Sequence, residues 1–281
     1  MGPMPRARSN RIEIEYDTFG RPSAAPLLLI SGLGAQMTSW DEEFCELLAG
    51  KGFHVIRFDN RDAGLSTCME AGREYTLDDM GADAVGLLDA LGIRAAHVVG
   101  VSMGGFIAQL VALDYPERVL TLTSIMSGPN GEDHVSPTPE AMALLVAPPA
   151  QTRADRVAMG LLAKQRLLGP ADPFDEEYER SRIALAVDRA YNPAGMARQL
   201  QAITSTSSRV PRLRALKTPT LVIHGDADIL VPAENGRRVA EAIPGARWIE
   251  VPGMGHDIPK RVWSQVVDAI AELARQSSAA C

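Results

Sequence analysis

Ala96-His97-Val98-Val99-Gly100-Val101-Ser102-Met103-Gly104-Gly105 is an apolar, β-branched run that stops abruptly at Gly-x-Ser-x-Gly. Beyond it, Phe106, Ile107, Leu110, Val111 and Leu113 recur at helical spacing. A serine between a buried strand and a helix sits on a tight turn with its hydroxyl exposed, the placement of a nucleophile. Gly100 and Gly104 fit that reading, because such a turn brings neighbouring backbone so close that a Cβ would collide. The helix beginning past Ser102 adds free N–H groups and a positive dipole end, which favour a developing oxyanion. The competing explanation is plain turn chemistry, since Gly and Ser are common turn residues. The strand before and the helix after decide against it.

A serine hydroxyl needs a base to take its proton and a carboxylate to orient that base. The chain has 5 histidines. His54, His97 and His224 lie in strand-like runs, and His134 lies in a polar loop with no evident partner. His256 sits in Val251-Pro252-Gly253-Met254-Gly255-His256-Asp257, a Gly-rich loop directly after the strand-like Arg247-Trp248-Ile249-Glu250-Val251. Loops leaving strand ends carry chemistry more often than strand interiors, so His256 is the candidate base. The acid is expected at a strand end between Ser102 and His256. Thr220-Leu221-Val222-Ile223-His224-Gly225-Asp226-Ala227-Asp228 offers two aspartates. Asp226 abuts the strand, where turn formation explains it, whereas Asp228 is freer to curl toward His256. Asp257 reads as a loop-structuring residue, and Arg61 as a loop-fixing ion-pair partner.

Working outward, strand candidates at residues 26–30, 53–59, 96–101, 119–125, 220–224 and 247–251 alternate with helical patterns. Among the latter, Thr76 caps a packing helix of Leu77, Met80, Ala84, Leu87 and Leu91. The alternation predicts an α/β fold, a mainly parallel sheet with helices on both faces. Residues 127–212 break it with Pro137, Pro139, Pro148 and Pro149 and then several helical stretches, which reads as an inserted helical cap. The core is then 11–126 and 213–275, with 1–10 as a mobile leader. Met142, Leu145, Met159, Leu162 and Met196 are the cap's candidates for lining a substrate pocket. Taken one by one, each also suits the cap's own core.

Composition narrows the class. With 281 residues, 46% hydrophobic, the chain can bury a large core. A net charge of -7 argues against nucleic acid, whose phosphates need a basic footprint. No apolar run approaches the roughly 20 residues of a membrane helix. The first ten residues lack the apolar core of a secretory signal. Cys45, Cys68 and Cys281 are too sparse for a disulfide framework or a zinc site, which suggests reduced thiols in a cytoplasmic protein.

From about Arg11 to Arg275 the chain resembles the α/β-hydrolase superfamily. The resemblance rests on Ser31-Gly32-Leu33-Gly34, Asp59-Asn60-Arg61-Asp62-Ala63-Gly64-Leu65-Ser66, Gly100-Val101-Ser102-Met103-Gly104, Gly225-Asp226-Ala227-Asp228 and Gly253-Met254-Gly255-His256. It implies that Asp228 is the acid and that the main-chain N–H groups of Leu33 and Met103 form the oxyanion hole. Ser31 departs from the pattern, which usually has His there, and this affects loop shape more than chemistry. Within the superfamily the chain is similar to small bacterial carboxylesterases related to the aclacinomycin methylesterases of polyketide biosynthesis. The likeness implies an esterase that works through an acyl-enzyme on a small-molecule ester, with no metal or organic cofactor and neither nucleic acid nor membrane as partner. The same triad also suits a cofactor-free perhydrolase or haloperoxidase-like enzyme, a lactonase, or a ligand-binding sensor.

Overall fold

Alternate side chains of each central strand enter opposite core layers, as seen in the computed structural model, which describes residues 4–279. Strands β1 (Arg6–Ser9), β2 (Ile12–Phe19), β3 (Ala25–Ile30), β4 (Phe53–Phe58), β5 (Ala96–Val101), β6 (Val119–Ile125), β7 (Thr220–Gly225) and β8 (Arg247–Val251) form one sheet. Their order is β1-β2-β4-β3-β5-β6-β7-β8. β2 pairs antiparallel with both β1 and β4, and every other pairing is parallel. The core helices are α1 (Glu42–Gly50), α2 (Leu77–Ala90), α3 (Met103–Asp114), α9 (Ala233–Ala242) and α10 (Trp263–Ala279). Between β6 and β7 come α4 (Pro139–Leu145), α5 (Arg153–Leu167), α6 (Glu176–Arg189), α7 (Pro193–Thr204) and α8 (Val210–Leu213).

Leu28 and Ile30 of β3 pack with residues of α2, α3 and α9, while Leu27 and Leu29 pack with α1 and α10. A period of 2 sends neighbours to opposite faces, so a sheet covered on both faces needs continuous apolar strands. That is why the expected α/β class holds and all six strand candidates appear, with ends shifted by no more than 1 residue. Thr76 caps α2 in a reciprocal capping box with Asp79, satisfying two amides the helix start would otherwise leave orphaned.

Two strands lie outside that reading. In β2, Ile12, Ile14 and Tyr16 alternate with Glu13, Glu15 and Asp17, a legible period-2 signal. β1 is Arg-Ala-Arg-Ser and carries no such signal. It is set by the turn at Asn10 and Arg11, whose φ values of 45° and 69° suit a two-residue hairpin. The expectation of a mobile leader over 1–10 is therefore corrected. Arg6–Ser9 is paired to β2, and the Ser9 hydroxyl donates to the Asp83 carbonyl at 2.8 Å. Residues 1–3 lie outside the described residues. Among the described residues no helix is long and apolar enough to cross a membrane.

Candidate active site

The turn between β5 and α3 holds Ser102 at φ 56° and ψ -122°. A non-glycine residue there costs on the order of 1–3 kcal/mol, so the surroundings must enforce it. They do: a Cβ on Gly100 would lie 2.0 Å from the Gly104 carbonyl oxygen, and one on Gly104 2.1 Å from that of Ile30. Only glycine lets α3 start this close to the sheet.

His256 stands in the loop after β8, with its Nε2 2.9 Å from Ser102 Oγ and its Nδ1 2.7 Å from Asp228 Oδ2. Asp228 is the closer fit of the two aspartates because the chain curls back after β7: the Leu230 and Val231 amides donate to its Oδ1 at 2.9 and 2.8 Å. Burial pushes this carboxyl up, but the charge on His256 and hydrogen bonds from His224 and His256 outweigh it, and the net direction is down. The carboxylate stays ionised at neutral pH and holds Nδ1–H. Asp226 is exposed and accepts from the Gly253 amide at 2.6 Å, tying the two loops together.

His224 is a strand residue, as expected, yet its ring reaches this group. Its Nε2 lies 2.7 Å from the Val231 carbonyl and 3.3 Å from Asp228 Oδ2. Both neighbours are acceptors, so Nε2 carries the hydrogen. The only available signal was its position 4 residues before Asp228.

The His256 loop is also fastened from above. The Gly255 and His256 amides donate to the Leu168 and Leu167 carbonyls at 3.0 and 2.6 Å, just where α5 ends. Asp257 structures the loop as expected, through a 2.7 Å ion pair with Lys164 of α5. Arg61 forms its ion pair with Asp83 at 2.6 Å and is not among the residues that line the cavity.

On the other side of Ser102, Gly32 approaches so closely that a Cβ there would lie 3.3 Å from the Ser102 Cβ. Leu33 lines the same cavity as Ser102, and Met103 is the first residue of α3. Among the described residues, neither the Leu33 nor the Met103 amide has a protein acceptor, so both N–H groups are free for a ligand.

Ser102 and His256 open onto a cavity of about 890 Å³. Met142 and Leu145 of α4 and Met196 of α7 line it. Met159 and Leu162 do not, and are 37% and 47% exposed. At 100° per residue they stand about 160° and about 140° around α5 from Val157, which is buried. Among the described residues no group of three or more His, Cys, Asp or Glu side chains could hold a metal ion, and Cys45 and Cys68 are free thiols.

A family model described as the alpha/beta hydrolase fold matches residues 25–259. Rhodomycin D methylesterase DauP from Streptomyces sp. (strain C5) is 35% identical over 289 residues, covering 96% of this chain and 97% of that protein. Rhodomycin D methylesterase DnrP from Streptomyces peucetius is likewise 35% identical, with 96% and 97% covered. Among solved structures, the enol-lactonase from Burkholderia xenovorans LB400 shares the fold, with a TM-score of 0.79 and 24% identity over 96% of this chain and 99% of that one. The order Ser102, Asp228, His256 along an eight-stranded sheet and these matches agree: the chain belongs to the alpha/beta hydrolase fold family and is a hydrolase.

Proposed function

We propose that this chain is a serine carboxylesterase that hydrolyses a small-molecule ester through an acyl-enzyme. The observation that carries the reading is the continuous contact from Asp228 through His256 to Ser102, at 2.7 and 2.9 Å, facing a large cavity. Ser102 Oγ attacks the ester carbonyl and its proton passes to His256 Nε2. The carbonyl electron pair becomes an oxyanion held by the Leu33 and Met103 N–H groups, each worth roughly 3 kcal/mol in other hydrolases. Collapse expels the alcohol, which takes the proton from His256, and a water activated by the same ring releases the acid. Nucleophile, base and oxyanion donors all come from the chain, so the reaction calls on no metal or organic cofactor.

Residues 127–212 act in this reading as the cap that shapes the acyl pocket. The names of DauP and DnrP favour a methyl ester as the scissile group, and a cavity of about 890 Å³ favours a bulky acid. Sparse, unpaired thiols favour a cytoplasmic setting.

Hydrolysis of p-nitrophenyl esters of increasing acyl length, by the parent and Ser102→Ala in parallel, tests this. Turnover with a chain-length optimum is expected in the parent, with a loss on the order of 10⁶ in kcat in the variant. Near-parental turnover by Ser102→Ala would sink the reading.

A further inference from the structure

Ser31, Gly32, Leu33 and Gly34 carry a free amide beside Ser102, yet little in that loop holds its shape. The Ser31 hydroxyl is buried and has no hydrogen-bond partner. The Ala35 amide donates to the Gly32 carbonyl at 3.2 Å, closing a four-residue turn with Gly34 at φ 65° in its third position. That pattern is a type II turn, which differs from type I by a flip of the central peptide. Here the central peptide joins Leu33 to Gly34, and its hydrogen is the Gly34 N–H.

One side chain takes that hydrogen. Gln199, fully buried on α7, accepts from the Gly34 amide through Oε1 at 2.8 Å and donates through Nε2 to the Arg61 carbonyl at 2.8 Å. One partner is a donor and the other an acceptor, so the orientation of the side-chain amide is fixed. The next residue back, Asn60, donates through Nδ2 to the Ser31 carbonyl at 3.1 Å, so the two loops are joined twice. Met196, one turn earlier on α7, seals the outer side of the turn, where a Cβ on Gly34 would lie 3.2 Å from its Cγ.

We propose that Gln199 is a positioning residue for the reaction: by clamping the Gly34 N–H it locks the turn that aims the Leu33 N–H, and so couples a pocket-lining helix to the oxyanion hole. This rests on the reading of Ser102 as nucleophile and of Leu33 as an oxyanion donor. A donor held by a second layer of hydrogen bonds keeps the narrow geometry that oxyanion stabilisation requires. The clamp also connects substrate fit to rate, because Met196 and Leu200, on either side of Gln199 along α7, line the cavity.

The test compares two reversible ligands on the full chain. A trifluoromethyl ketone adds to Ser102 Oγ: the O–C bond forms, the hydroxyl proton moves to His256, and the carbonyl pair becomes an oxyanion in the hole. The matching secondary alcohol fills the same pocket and forms no adduct. Gln199→Met keeps the volume and removes both hydrogen bonds. It is expected to weaken the ketone by at least about tenfold while the alcohol stays within about twofold, with kcat reduced and KM near parental. Equal weakening of both ligands, which a merely structural contact would give, or no change in either, overturns the proposal. Gln199→Glu keeps an acceptor for the Gly34 N–H and is expected to keep the parental ketone-to-alcohol ratio within about threefold. Loss of that ratio in Gln199→Glu also overturns it, whether or not Gln199→Met folds. If the parent and Ser102→Ala bind the ketone equally, the serine reading itself fails, and this inference with it.

Discussion

The carboxyl edge of the sheet and the helical roof above it are built by different means. At the edge, turns are compressed until only glycine fits: a Cβ on Gly100 would lie 2.0 Å from the Gly104 carbonyl oxygen, and one on Gly225 1.9 Å from that of Met254. The roof is fastened to that edge by ion pairs as well as by backbone and neutral side-chain hydrogen bonds. Arg189 meets Asp59 at 2.7 Å, Arg198 meets Asp62 at 2.7 Å, and Lys164 meets Asp257 at 2.7 Å. Backbone collisions tolerate no enlargement, whereas each ion pair is one of several attachments. The edge therefore fixes Ser102 through its own backbone, while several of the roof's attachments run through side chains that can be exchanged one at a time.

The sharpest way to break this contrast is at the edge. Gly100→Val puts three carbons where one already collides with the Gly104 backbone. Loss of both cooperative unfolding and hydrolysis is expected, read by circular dichroism melting and ester assay. A folded, active variant would show that the turn accommodates a Cβ at this position.

Next in size is the pair of aspartates. Asp228→Asn is expected to cut kcat about 10⁴-fold, as a wrong histidine tautomer does in other triads. Asp226→Asn weakens one exposed bond to the Gly253 amide and is expected to cost less than about tenfold. A larger loss from Asp226→Asn in steady-state kinetics would reverse the assignment of the acid.

A roof attachment is expected to act on stability first. Arg198 grips buried Asp62 with two bonds at 2.7 and 2.8 Å. Burial pushes the Asp62 carboxyl up, and Arg198, the Met69 amide and the Tyr75 hydroxyl outweigh it, so the net direction is down. Arg198→Met strands that carboxylate and is expected to cost about 3 kcal/mol in urea unfolding. Its kcat is expected to fall far less than in Asp228→Asn. The reverse ranking would make the roof part of the chemistry.

The smallest effect expected is acid sensitivity. Burial lowers both His97 of β5 and His134 below the roof to about 4, with Arg209 and Arg238 adding to the second. Both fold best when neutral, so their contribution is complete above the unfolded value near 6.5 and is lost as pH falls from there toward 4. Melting temperatures should drop across that window, and His97→Gln and His134→Gln should each flatten the drop. A variant with the parental pH slope would remove that histidine from the account.

Motif spacing made the edge readable. Ser102, Asp228 and His256 each follow an apolar strand and sit beside glycines whose crowding is a property of the local chain. β2 was equally legible in its alternation, and β1 was not, because a hairpin partner and two positive φ values, not side-chain pattern, hold it. Helical spacing does not say which side of α5 meets the cavity, and of the five apolar candidates Met142, Leu145 and Met196 line it whereas Met159 and Leu162 do not.

The residues alone thus determine the α/β class, the doubly covered sheet and the six central strands, and they single out Ser102 and His256 as candidates, because strand period, glycine crowding and loop position act over a few residues. Only the tertiary structure decides how His224 reaches Asp228, how the Leu167 and Leu168 carbonyls hold the His256 loop, and how Gln199 reaches Gly34 across 165 positions. The last two join segments far apart in the chain, and the first depends on how the loop after β7 curls back. No local pattern encodes them, and they exist only once burial has brought the segments together.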